Sequence, residues 1–140
     1  MPEFRNLYAH GFARIAAASP RVYLADPAAN ARETIELMGK ADAAHAALLV
    51  CPELGLSGYT LDDLHLQSAL LAAVREAVAD VVKASISLAP VVVVGAPLLV
   101  GSSVHGCAIV IHRGRVLGIV PKTYLPNYRE FYEKRQFASS

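Results

Sequence analysis

Ala46–Cys51 (AALLVC) is the stretch that leaves this chain the fewest choices: an unbroken apolar run, too short for a buried helix and stopped by Pro52. A run of that length reads as a strand covered on both faces, which points to a parallel sheet layered with helices. The flanking sequence agrees. Asp26-Pro27 opens a helix, with Asp26 as the cap and Pro27 at the first helical position. Ala28, Ala31, Ile35, Met38 and Asp42 then fall on one mainly apolar stripe. Arg32, Glu33, Glu36 and Lys40 lie mostly elsewhere, so the pattern predicts an amphipathic helix to about His45. Beyond the apolar run, Pro52–Tyr59 (PELGLSGY) reads as a loop. Asp62-Asp63 can start a second helix, in which Leu66, Leu70, Val74, Ala77 and Val81 recur at three and four.

Gly11–Ala18 reads as a short buried strand and Pro90–Ala96 (PVVVVGA) as another. His105–His112 and Arg115–Val120 flank Arg113-Gly114, a hairpin signal. Strand, helix, strand, helix, strand and hairpin together predict an α/β layered fold rather than a bundle or a barrel. With 54% hydrophobic and 18% charged residues, the 140-residue chain is apolar enough to build a core and unlike a disordered tail. A net charge of +1 without a basic stripe argues against nucleic acid as a partner. The longest apolar run, Ala89–Val100, is interrupted by Pro90, Gly95 and Pro97 and falls short of the ~20 residues that span a bilayer. No secretory leader is visible, and Cys51 and Cys107 both sit in apolar runs. A soluble, reduced, cytoplasmic protein is expected.

Three features could carry chemistry. Glu53 follows Pro52 at the carboxyl end of a buried strand, where functional groups gather in open α/β sheets and where a partly desolvated carboxylate suits a general base. By position alone, a solvated loop glutamate is an equal alternative. Lys122 follows the last strand and could hold an anion or a developing oxyanion, although an exposed strand-end lysine is the commoner case. Tyr124, Tyr128 and Tyr132 recur at four and would form one stripe if helix persists past Pro126, either as core packing or as the wall of a small-molecule pocket. Cys51 shares a strand face with Glu53, yet it lies within the strand and reads as a buried structural thiol, as does Cys107. The histidines His10, His45, His65, His105 and His112 show no metal-ligand spacing with the cysteines, and no phosphate-binding glycine motif is present.

These segments also resemble a known family. Pro52–Tyr59 (PELGLSGY) is similar to the PEL-x-L-(S/T)-GY segment of the nitrilase, or carbon–nitrogen hydrolase, superfamily, and Gly118–Pro126 (GIVPKTYLP) resembles its lysine segment. The continuation YLPNYREFYEKRQF and the early HGFARIAAA are similar to the glutaminase domain of glutamine-dependent NAD+ synthetases. The resemblance implies the first half of an α-β-β-α sandwich, with residues 1–140 a partial amidohydrolase domain. It implies Glu53 as general base, Lys122 as stabiliser of the tetrahedral intermediate, and Glu130 as the carboxylate that orients the lysine. Tyr128 and Tyr59 would line the site of a glutamine substrate. The nucleophilic cysteine of the family would come from sequence beyond position 140, since neither Cys51 nor Cys107 matches its motif. ATP and magnesium would belong to a synthetase domain absent from this segment, which itself needs no cofactor, and the intact protein would be a homo-oligomer. In one place the chain departs from the pattern, reading His105-Gly106-Cys107-Ala108 where the family has YN-(S/T)-A. The alternatives are a different carbon–nitrogen hydrolase, such as an ω-amidase or carbamoylase, and a non-catalytic remnant.

Overall fold

The computed structural model describes residues 3–140. Strand β1 (Ile15–Ala17) leads into helix α1 (Pro27–Ala43), strand β2 (Leu48–Val50) and helix α2 (Ser68–Ala84). Three longer strands follow: β3 (Val91–Val100), β4 (Ser103–His112) and β5 (Arg115–Pro121). All five form one sheet in chain order, parallel from β1 to β3 and antiparallel from β3 to β5. No helix among the described residues is long and apolar enough to cross a membrane.

Helix α1 starts as its sequence predicts. Asp26 accepts a hydrogen bond from the Ala29 N–H at 3.0 Å, and Pro27, the first helical residue, has no N–H to satisfy. Asn30, one turn in, is 2% exposed and ties the helix to the PELGLSGY loop. Its amide donates to the carbonyls of Tyr23 (2.8 Å) and Leu56 (3.2 Å), and its oxygen accepts from the Tyr23 N–H. Helix α2 begins later than expected, at Ser68. Asp62–Leu66 forms a separate 3-10 turn, because the Asp62 and Asp63 carboxylates are engaged by Tyr132 and Arg135 instead of capping a helix.

Helices α1 and α2 pack side by side on one face of the sheet. Leu49, Val92, Val94, Ala96, Ile109 and Ile111 point into this core and meet Met38, Val74 and Val81 from the helices. Met38, Val74, Val81, Val92 and Ile111 are completely shielded from solvent. The opposite face is open, which corrects the expectation of strands covered on both sides. Val50, Val93 and Val110 stand in register across it, Val50 exposed and the other two half-buried, and Val120 is 60% exposed. A continuous apolar run records that both faces need cover; the two helices supply it to one.

Two further expectations change, and the hairpin forms as expected. Strand β1 is shorter than Gly11–Ala18 and sits at the sheet edge, with Ile15 exposed. At the hairpin, Arg113 and Gly114 both take positive φ (46° and 76°), as a tight two-residue reversal requires. The helix proposed through Tyr124, Tyr128 and Tyr132 does not form, and all three tyrosines are exposed. Pro126 lacks an N–H and biases Leu125 towards extended backbone, so the segment runs irregularly to a short 3-10 turn at Glu133–Arg135.

Candidate active site

Glu53 is positioned by an abrupt turn at the end of β2. Leu54, almost fully buried, takes φ 50°, a left-handed conformation uncommon for leucine. The turn lies directly on Gly95 of β3. A Cβ there would stand 2.5 Å from both the Leu54 nitrogen and the Pro52 oxygen, so only glycine admits the loop at this height. The Gly95 carbonyl in turn accepts the Leu56 N–H at 3.1 Å.

Lys122 follows β5 directly, its N–H bonded to the Gly106 carbonyl at 2.8 Å. Its ammonium donates to Glu53 Oε1 at 2.7 Å and lies 3.1 and 3.0 Å from the two carboxylate oxygens of Glu133. Glu133 is buried, its side chain only 5% exposed, and its Oε1 also accepts the Tyr59 hydroxyl at 2.7 Å. Burial by itself would lower the Lys122 pKa; the hydrogen bonds to Glu53 and Glu133 outweigh it and hold the amine above its ordinary value. Burial, and then the bond to Glu133, push the Tyr59 phenol well above its usual range, so Tyr59 remains a neutral donor.

Glu53 and Lys122 thus meet at the end of a trough of about 390 Å³ that runs along the open sheet face past Val50, Cys51, Val93, Cys107 and Val120. The Glu53 side chain is half-exposed rather than desolvated, since the trough opens on solvent. Burial pushes the Cys51 thiol up to about 11 and raises the Cys107 thiol as well. Thiols so disfavoured as thiolates are poor nucleophiles. The arrangement offers a carboxylate able to take a proton beside an ammonium able to face an oxyanion, with apolar space next to both.

The structure brings together Glu53, Lys122 and Tyr59 among the residues singled out from sequence. Glu130 is exposed and borders a neighbouring cavity; the carboxylate against Lys122 is Glu133. Both glutamates follow the lysine in a segment without regular periodicity, so no spacing rule distinguishes them. Tyr128 is 64% exposed and reaches the pair only through an aromatic chain, its ring 6.0 Å from Phe131, which stands edge-on to Tyr59 at 6.5 Å. Gly95 was also missed; a glycine inside a strand that otherwise reads PVVVV is a signal of close backbone approach.

No protein-family model matches the chain. Among solved structures, the C145A mutant of an amidase of the nitrilase superfamily from Nesterenkonia AN1 superposes with a TM-score of 0.77 at 22% identity, over 91% of this chain and 48% of that one. The glutamine-dependent NAD+ synthetase of Acinetobacter baumannii superposes with a TM-score of 0.85 at 29% identity, over 91% of this chain and 24% of that one. The chain has the fold that these proteins share, and its sheet with two helices on one face corresponds to about half of the amidase chain. Curated relatives narrow this further. The glutamine-dependent NAD+ synthetase of Mycobacterium tuberculosis is 51% identical over 135 residues, 96% of this chain and 20% of the relative. That of Mycobacterium leprae is 47% identical over 136 residues, 97% and 20%. The chain is therefore a homologue of part of the glutamine-dependent NAD+ synthetases, and it spans about a fifth of the length of these relatives.

Proposed function

We propose that these residues form the first half of a glutamine amidohydrolase domain that supplies ammonia for the amidation of deamido-NAD+. The observation that carries the reading is the Glu53–Lys122 contact at 2.7 Å, at the end of an apolar trough in a chain related to these synthetases. A second sheet from further sequence covers the open face and brings a cysteine to the trough. Glu53 takes the proton of that thiol, and the thiolate sulfur bonds to the carboxamide carbon of glutamine. Lys122 faces the oxyanion of the tetrahedral intermediate, which collapses as Glu53 passes its proton to the nitrogen and the carbon–nitrogen bond breaks to release ammonia. Water then attacks the glutamyl thioester, releasing glutamate and restoring the thiol. Glu133 keeps Lys122 in place, and Tyr59 and Tyr128 belong to the wall that receives substrate. ATP and magnesium act in a separate synthetase domain, and the intact protein is a cytoplasmic homo-oligomer.

Ammonia release from glutamine tests the reading in two samples. The 140-residue chain gives none by itself. A longer protein that contains it turns glutamine over and loses that turnover in Glu53→Ala. Robust, Glu53-dependent hydrolysis by the 140 residues alone would refute the assignment of the nucleophile to other sequence. A longer protein that prefers other amides or carbamoyl compounds would move it to another carbon–nitrogen hydrolase.

A further inference from the structure

We infer that His65 is a positioning residue for the Lys122–Glu133 ion pair, fastening the turn that carries Tyr59 to the turn that carries Glu133; this rests on Lys122 being a functional group, as proposed above. His65 lies in the 3-10 turn Asp62–Leu66 and is 1% exposed. Its Nε2 is 3.2 Å from the Tyr59 carbonyl oxygen, and because a carbonyl can only accept, Nε2 carries the hydrogen. The Tyr59 side chain, continuing from that same backbone, gives its hydroxyl to Glu133. On its other side the imidazole packs on Phe137, with ring centres 4.9 Å apart. Phe137 belongs to the Glu133 turn: its N–H bonds to the Glu133 carbonyl at 2.8 Å, and that of Gln136 to the same oxygen at 3.0 Å. One ring therefore contacts the Tyr59 backbone and, through Phe137, the turn that carries Glu133, and the Tyr59–Glu133 bond backs the carboxylate holding Lys122.

Packing alone does not explain a histidine here. An apolar side chain would fill the space against Phe137 and leave the Tyr59 carbonyl without this donor. Burial also lowers the pKa of His65, which keeps the ring neutral with its second nitrogen a free acceptor. That nitrogen is buried without a protein partner, and His65 and Gln136 both line a cavity of about 100 Å³ beside the Glu133 turn. Outside, Tyr132 to Asp62 (2.5 Å) and Arg135 to Asp63 (2.8 and 2.7 Å) join the same two segments at exposed positions, where such pairs contribute little.

The test reads Lys122 itself, so it stands or fails independently of any hydrolytic activity. The pH profile of acetylation of Lys122 is followed by peptide mass spectrometry in this chain, with Lys40 and Lys83 as internal references and circular dichroism as the check of folding. In His65→Ala the Lys122 profile moves down by about one pH unit, roughly tenfold faster labelling at a fixed pH. His65→Gln, whose amide can still donate to the Tyr59 carbonyl, and Asp63→Asn both stay within about twofold of the parent. A folded His65→Ala chain with an unmoved Lys122 profile overturns the inference, as does a His65→Gln chain shifted as far as His65→Ala. If His65→Ala does not fold, Phe137→Leu decides: it loosens Lys122 in the same direction, and an unchanged profile there is equally fatal.

Discussion

Replacing Gly95 with alanine should displace the very turn that presents Glu53. The added Cβ would meet the Leu54 nitrogen and the Pro52 oxygen at 2.5 Å and the Glu53 carbonyl carbon at 2.9 Å. Ordinary contact begins near 3.4 Å, so the loop must retreat by about 1 Å, and because the neighbours are backbone no rotamer change relieves the clash. Overpacking of this kind costs about 1–3 kcal/mol, here at the upper end. Retreat also strains the Leu56 N–H to Gly95 carbonyl bond, worth about 1 kcal/mol. The entropy lost from the unfolded chain returns roughly 0.5 kcal/mol. The net destabilisation is about 3 kcal/mol, or roughly 10 °C in the melting temperature of a chain this size. Gly39 is the control: it lies within α1 with nothing inside 4 Å of its would-be Cβ, and alanine there should stabilise by about 0.5–1 kcal/mol. Thermal and urea unfolding, followed by circular dichroism, measure both. A Gly95→Ala chain that melts within about 2 °C of the parent would show that the turn does not rest on that glycine as described.

Other outcomes can be measured alongside. Lys122→Met strips the cation from Glu133, whose side chain is only 5% exposed, and should cost about 2–4 kcal/mol; adding Glu133→Gln should recover more than half in a double-mutant cycle of urea midpoints, and no recovery would mean the carboxylate is better solvated than it looks. Burial depresses the His65 pKa, so the unfolded chain protonates first: the contribution of His65 is complete above about pH 6.5 and is lost as pH falls below it. His65→Gln should flatten that acid limb in unfolding free energy plotted against pH. At the alkaline end, the raised pKa values of Lys122 and Tyr59 mean that stability is complete below about pH 10 and declines as pH climbs beyond it, since the unfolded chain releases those protons first. Cys51, held at about 11, should react with iodoacetamide at pH 8 roughly a hundredfold more slowly than a thiol at its ordinary value, and rapid alkylation would reopen it as a nucleophile.

Much of the framework could be read locally. The Asp26-Pro27 start of α1, the apolar run ending at Pro52 and the Arg113-Gly114 reversal each depend on a few neighbouring residues whose backbone preferences and caps act over short range. Strand order supplied the rest of the α/β reading, and the PELGLSGY and YREFYEKRQF segments carried the family. What the chain could not reveal in one dimension is which side chains face one another across long loops. Glu130 and Glu133 are indistinguishable as neighbouring carboxylates in an aperiodic stretch; only the turn at Glu133–Arg135, packed on Phe137 and His65, sends Glu133 inward to Lys122 and leaves Glu130 in solvent. Asp62 and Asp63 have the composition of a helix start and instead accept Tyr132 and Arg135 from some seventy residues away, bonds that local propensity cannot encode. Nor could an apolar strand say how many of its faces this segment covers. That was decided by where α1 and α2 dock, because a strand's side chains record the need for burial on both sides while only tertiary packing determines what meets it.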